Sequence, residues 1–437
     1  MQPLNKPNSL KRVAMATMIG TAIEYFDNYI YTMAAVLIFN HQFFHAADPL
    51  SGQIAALSTL ALTFIARPLG AILFGHFGDR FGRKNTFVIS LLVMGVSTMV
   101  IGLLPTYDSI GIWATLLLCL CRIGQGIGLG GEWGGAALVA IENAPEGKRG
   151  WYGTFPQLGA PLGLLLANGA FLLITDILGS AAMTDWAWRI PFLSSSILVV
   201  IGLYVRLKLA EAPIFVTALD KPQPKTLPMV EVIITHFKPF FLGILICIAG
   251  YVLFYIMIAF SQIYAKSAPS QSEAGYAMGL GFSPQIFTAL LMYSAVSLAI
   301  SITISGKCID KIGRRIWLIW TTVAVAIFGL ALPYFLENGT TVSLFWFLII
   351  GMGLIGMGYG PLSSFLPELF PTHVRYTGAS LTYNIAGLFG ASVAAIIALP
   401  LNANYGLKGV GIYLTLNAVL SLIGLWFITE TRDRQLL

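Results

Sequence analysis

The residues best equipped for chemistry in this chain sit where charge is most costly. The stretch "EYFDNYIY", residues 24–31, carries Glu24 and Asp27 inside an apolar run long enough to cross a bilayer. Three residues apart on a helix, the two carboxylates share one face. Arg67, Arg122 and Glu132 also lie in apolar runs. Facing lipid at the bilayer centre, each would cost about 2.5–3.5 kcal/mol on insertion scales. They must face one another or a wet chamber. Interpolation along each run puts Glu24, Asp27, Arg67 and Arg122 near mid-depth and Glu132 deeper toward one face.

Acids and arginines in one chamber can trade partners. A nearby guanidinium keeps a carboxylate ionised. When a ligand carboxylate takes that guanidinium by a bidentate hydrogen bond, the orphaned acid is left in a low dielectric and takes up a proton. Ligand and proton then favour each other's binding. On this reading Arg122 and Arg67 hold the ligand carboxylate. Asp27 is the first choice as proton carrier and Glu24 the second, close enough to titrate as a pair. Gln125, one turn from Arg122, shares the ligand, with Asn28 and Tyr31 of the first run. The other half of the chain offers Tyr251, Tyr255, Tyr359, Tyr383 and Asn384 at mid-depth. Glu132 reads as structural, tied to the region of Arg83 and Arg149. The competing reading is a static ion network that only fixes helix packing.

The elements that position these groups follow from composition. Of 437 residues, 57% are hydrophobic and 10% are charged, against about 25% charged in a soluble domain. This is an all-α membrane protein. Twelve apolar runs of spanning length are expected at 12–38, 52–75, 86–105, 111–140, 151–175, 187–208, 239–262, 285–305, 316–336, 343–366, 376–400 and 409–429. The first is too long and too acidic for a cleaved signal peptide. Of the 25 Lys and Arg, only Arg189, Lys266 and Lys408 fall on one side, and Arg67 and Arg122 lie within runs. The rest cluster on the side that carries both termini, which is therefore expected to be cytoplasmic. The net charge of +6 sits in short loops, so no nucleic-acid partner is expected. The four cysteines have no metal or redox spacing. His41 and His45 are four apart and could bind a metal if helical, but they fall in a short loop where a solvated role is expected, so neither a metal nor an organic cofactor is expected. Residues 209–238, broken by four prolines, read as a linker between a bundle at 1–208 and a bundle at 239–437.

The two halves repeat. "GHFGDRFGRK" at 75–84 and "GKCIDKIGRR" at 306–315 both fit G-x3-D-[RK]-x-G-R-[KR]. "ENAPEGKR" at 142–149 and "ELFPTHVR" at 368–375 both fit E-x2-P-x3-R at nearly the same offset. Such a repeat means two pseudo-symmetric six-helix bundles. The recurring groups, Asp79, Arg83, Glu142 and Arg149 with Asp310, Arg314, Glu368 and Arg375, form a candidate gate. The aspartates would face helix N-termini, and the arginines would pair with glutamates across the halves.

The motif Gly75, Asp79, Arg80, Gly82, Arg83, Lys84 resembles the signature of the major facilitator superfamily. "EYFDNYIY", "FIARPLGAILFGHFGDRFGRK" and "RIGQGIGLGGEWGGAALVAIENAPEGKRG" resemble its metabolite:proton symporter family, although Asn28 stands where that family usually has an aromatic. The resemblance covers nearly the whole chain. It implies the major facilitator fold and proton-coupled import, by alternating access, of a small carboxylate-bearing metabolite, either an organic acid or a zwitterion such as proline or betaine. It also implies a monomer in a bacterial inner membrane, surrounded by lipid. With only "ETRDRQLL" after the last run, the coiled-coil extension of some osmolyte carriers is not expected. A membrane enzyme would need a nucleophile–base pair, and a channel an unbroken polar lining. An uncoupled facilitator or sugar-type carrier, or a proton-driven exporter, remains the alternative.

Overall fold

A computed structural model describes residues 9–44, 49–81, 83–207 and 227–434. The side chains of residues 49–51, 53, 54, 57, 80, 81, 83 and 84 lie outside that description. Ten helical stretches are long and apolar enough to cross a membrane. The last of them, Thr372–Phe427, is broken where Gly406 takes φ 66 and ψ −171, so it holds two spans. Residues 10–42 supply one more, made less apolar by its acids. Among the described residues the count is twelve, as the hydropathy predicts.

We label them α1 (10–42), α2 (Pro49–Phe81), α3 (Arg83–Leu103), α4 (Ile112–Glu142), α5 (Arg149–Ala187) and α6 (Arg189–Leu207). The second half holds α7 (Phe237–Lys266), α8 (Pro284–Ile312), α9 (Arg314–Leu336), α10 (Thr341–Glu368), α11 (375–405) and α12 (407–427). Polar caps start several of them. Ser9 accepts from the Arg12 amide, Ser283 from Ile286 and Thr340 from Ser343, supplying acceptors for otherwise orphaned amides. The topologically equivalent α1 and α7 each widen into a π-helical turn, at Ala35–Phe39 and Ile256–Phe260.

Each half is a six-helix bundle. In the first, α4 packs on α2 and α3, while α1 packs on α5 and α6. The second repeats the plan, with α10 on α8 and α9 and α7 on α11 and α12. The halves meet along α2 with α11 and along α5 with α8. Small residues make these approaches possible, because packing in lipid has no hydrophobic drive. A Cβ on Gly130 would overlap the Arg67 carbonyl, and one on Gly126 the Thr63 carbonyl. The glycine stripe of α4 therefore draws α2 in and fixes where Arg67 emerges.

The repeated Gly–Asp motif is not a loop. α2 runs on to Phe81 and α8 to Ile312, several residues past the expected ends at 75 and 305. Buried partners for Asp79 and Asp310 hold these extra turns. The reversal after α8 falls at Gly313, with φ 107. Most of the expected linker lies outside the described residues. Its last part forms a short helix, Pro228–Ile234, whose Glu231 Oε1 lies 2.6 Å from His373 Nε2 in the turn between α10 and α11. The second bundle begins with α7 at Phe237 rather than at 239.

Candidate functional site

A central cavity lies between the halves, lined by residues of both. Glu24 and Asn28, one turn apart on α1, line it with Arg67 of α2. Tyr251 and Tyr255 of α7, Tyr359 of α10 and Tyr383 of α11 form the facing wall. Every one of these charged groups comes from the first half. Glu24 and Arg67 are only 5% and 7% exposed, yet Glu24 Oε2 and Arg67 Nε have no hydrogen-bond partner among the described residues. The Arg67 guanidinium lies 4.3 Å from the Phe64 ring centroid, which positions it without using its N–H groups. A buried polar atom left unsatisfied is costly, so each of these cavity-lining groups holds bonding capacity that no described residue uses.

Asp27 is placed differently. It shares a broad face with Glu24, but three residues on a helix leave about 60° between side chains, and that rotation sends Asp27 into the bundle. Ser195 Oγ of α6 donates to Asp27 Oδ1 at 2.6 Å, and Thr98 Oγ1 of α3 to Oδ2 at 2.8 Å. Gln125 Nε2 of α4 donates to Thr98 Oγ1 at 2.7 Å, and Arg122 Nη1 donates to Gln125 Oε1 at 2.5 Å. Asp27 and Arg122 are thus joined by a chain of two polar side chains. Among the described residues no ion pair joins Arg122 or Arg67 to Glu24 or Asp27; the direct pairing expected from the sequence is replaced by hydroxyl and amide bonds. Arg122 sits 3.5 Å from the Tyr31 ring centroid, with Nη2 unpartnered. The Tyr31 hydroxyl bonds to Thr59 Oγ1 at 2.5 Å. Arg122, Gln125 and Tyr31 stand behind the cavity wall with Asp27.

Glu132 is a correction. It pairs with Arg206 of α6, fully buried within the first bundle, and not with Arg149, whose carboxylate partner is Glu368. Arg206 also donates to the Phe87 carbonyl at 2.8 Å and covers the Phe87 ring at 3.7 Å. In the sequence Arg206 looks like a topogenic charge at a span end. In the structure it is buried, at 1% exposed.

Between the cavity and the face that carries both ends of the described chain, the halves are sealed in layers. Tyr25 and Tyr359 share a hydroxyl bond of 2.6 Å. Trp133 stacks on Tyr383 at 3.9 Å, and Gln157 Nε2 donates to the Tyr359 carbonyl at 2.9 Å. Asn384 faces α4, not the cavity; its Nδ2 donates to the Gly130 carbonyl at 2.9 Å. Tyr25, Trp133, Gln157, Thr98 and Ser195 escape a search for charges. Their signal is a polar atom repeated inside apolar spans.

Nearer that face lie the gate candidates. Asp79 accepts from the Tyr376 and Thr377 amides at 3.3 and 3.0 Å, at the start of α11. Asp310 accepts from the Gly150 and Trp151 amides at 2.8 and 2.9 Å, at the start of α5. Each aspartate caps a helix of the opposite half, where the dipole favours an anion. The repeated Glu–Arg motifs exchange partners: Arg375 Nη1 lies 3.5 Å from Glu142, and Arg149 Nη1 lies 4.0 Å from Glu368. Arg314 departs from the expected cross-half pairing. It binds Glu368 at 3.2 Å and Asp310 at 3.3 Å, both within its own half, because it opens α9 beside the end of α10. The side chain of Arg83 lies outside the described residues.

Residues 17–395 match the Major Facilitator Superfamily. The chain belongs to the major facilitator superfamily. It is 87% identical to a Haemophilus influenzae protein named "Putative metabolite transport protein", over 100% of this chain and 97% of that one. It is 47% identical to an inner membrane metabolite transport protein, YhjE, of Escherichia coli, covering 98% and 96%. The proline/betaine transporter of E. coli is 32% identical, covering 98% and 85%. A solved proton:xylose symporter, XylE, shares the fold with a TM-score of 0.77 at 16% identity, covering 98% and 97%. These relatives agree with the metabolite:proton symporter motifs and are transporters, not enzymes. As a major facilitator protein, the chain is an integral, multi-pass metabolite transporter.

Proposed function

We propose that this chain is a proton-coupled symporter that imports a small carboxylate-bearing zwitterion across a bacterial inner membrane, working as a monomer with both termini cytoplasmic. The observation that carries this is an acid and an arginine, both short of partners, facing one cavity. Arg67 takes the cargo carboxylate by its planar fork. Glu24, among tyrosine rings, takes the cargo cation, which the rings also attract. Asp27 carries the proton. Its link through Thr98 and Gln125 to Arg122 ties its charge state to the α4 segment beside Arg67. The cross-half caps and swapped ion pairs are the closed inner gate of an alternating-access cycle, and breaking them opens the site to the cytoplasm.

A purely anionic organic acid is the second reading, favoured by the unpaired state of Glu24. A cargo carboxylate on Arg67 would leave that acid uncompensated, and Glu24 would then take the proton. Uptake by proteoliposomes separates these readings. A dicarboxylate, a hydroxy monocarboxylate and a zwitterion are offered, each with and without an imposed pH gradient. The zwitterion is expected to accumulate only with the gradient. Accumulation of the dicarboxylate alone selects the second reading, and transport of a neutral sugar alone rejects both.

A further inference from the structure

The cavity reaches well past its two charges. Beyond the tyrosines it extends into the second bundle between α7, α8, α9 and α10, where Leu298, Leu318, Val325, Leu354 and Ile355 line it. None of these carries a polar side-chain atom, and the two threonines beside them, Thr321 and Thr322, donate their hydroxyls back to the Trp317 and Leu318 carbonyls of their own helix. The ionic groups of the cavity, Glu24 and Arg67, sit at the opposite end, on α1 and α2. Two glycines face this lobe. A Cβ on Gly250 would meet nothing within 4 Å, and one on Gly358 only Thr321 Cγ2 at 3.6 Å. Other glycines of α10 differ. A Cβ on Gly356 would overlap the Leu298 carbonyl, and one on Gly360 the Ser305 hydroxyl. Those two are required by helix packing. Gly250 and Gly358 are not, and what they preserve is space.

We propose that this lobe is an apolar subsite for a hydrocarbon portion of the cargo, and that Gly250 and Gly358 set the size it accepts. The inference rests on the zwitterion reading above and adds to it a body with exposed CH2 groups on the side away from the carboxylate. Burial of each CH2 would strengthen binding about fourfold, the equivalent of about 0.8 kcal/mol. The cargo would then span the two halves, charge on the first and hydrocarbon on the second. Closing the halves around it would bury both ends at once.

The test is a ladder of N-alkyl-N,N-dimethylglycines with methyl, ethyl, propyl and butyl chains, assayed by ligand-induced thermal stabilisation of the purified full-length protein. The wild type is expected to bind more tightly by about fourfold per added carbon until the lobe is full. Gly250→Leu and Gly358→Leu, which fill the lobe, are expected to flatten or invert that slope. Gly250→Ala and Gly358→Ala should do so partially. The readout is the slope, not the affinity for any one rung. The wild-type slope needs no variant, so the proposal stays exposed if the leucine variants do not fold. A flat wild-type ladder with the methyl compound bound overturns the subsite alone. A slope untouched by all four substitutions overturns the role of the two glycines and the lobe with them. No binding of any rung overturns both this proposal and the zwitterion reading.

Discussion

The two halves share one plan and divide two tasks differently. At the terminal face they are near-equals. Asp79 caps α11 as Asp310 caps α5, and Glu142 meets Arg375 as Glu368 meets Arg149. In the membrane middle they are unlike. Glu24, Asp27, Arg67, Arg122 and the Glu132–Arg206 pair all belong to the first half, while the second contributes tyrosines and an apolar lobe. A gate that joins two bodies needs matching partners on both, so duplication preserves it. A binding site needs its ions only once, and a second buried set would add desolvation cost without adding function.

The sharpest way to break this comparison is to remove the acid assigned to coupling. Asp27→Asn is expected to abolish gradient-driven accumulation in proteoliposomes while leaving cargo exchange measurable. If accumulation persists, proton coupling does not reside on Asp27. Next in size is Arg67→Ala, which should weaken cargo binding by roughly 30-fold or more, since loss of one partner of a buried charge contact costs about 2–5 kcal/mol. Isothermal titration against the transported zwitterion measures it. An affinity change under threefold would remove Arg67 from the site and leave the first half without its ligand cation.

Glu132→Gln probes whether the first half's remaining charges are scaffold. Leaving Arg206 buried without its carboxylate should lower stability by about 3–5 kcal/mol. This is read as a lower unfolding temperature in detergent, with the cargo affinity of the folded fraction retained. Weakened binding at unchanged stability would make the pair part of the site. The smallest effects are expected at the gate. Arg375→Ala and Arg149→Ala should both raise accessibility of cysteines in the cavity to a reagent applied from the terminal face. Arg375 should do so more, since its side chain is 2% exposed against 16% for Arg149 and exposed pairs contribute little. Equal effects would show a more symmetric gate than the geometry implies, and no effect would move the gate elsewhere.

Particular residues show how far the linear order can be read. Asp79 and Asp310 were legible as N-terminal caps because their motif recurs with its spacing intact. The Arg375–Glu142 contact was legible only as a pair of types, since nothing in the order of residues says that the repeats swap partners. Tyr25, Thr98, Ser195 and Gln157 carry ordinary polar groups that apolar spans tolerate in many roles, so composition gives them no prominence. Arg122 was legible as buried but not as a residue behind the cavity.

The sequence alone determined that twelve apolar helices form two repeated bundles, and that five charges must turn away from lipid. The bilayer forces both conclusions, because it satisfies neither a backbone amide nor an ion, whatever the tertiary arrangement. Only the tertiary structure decided which partner each charge meets. Asp27 turned to hydroxyls, Glu132 to Arg206, and Glu24 and Arg67 to an open cavity, since a rotation of tens of degrees about a helix axis, set by glycine contacts between helices, selects among partners that the order of residues leaves equivalent.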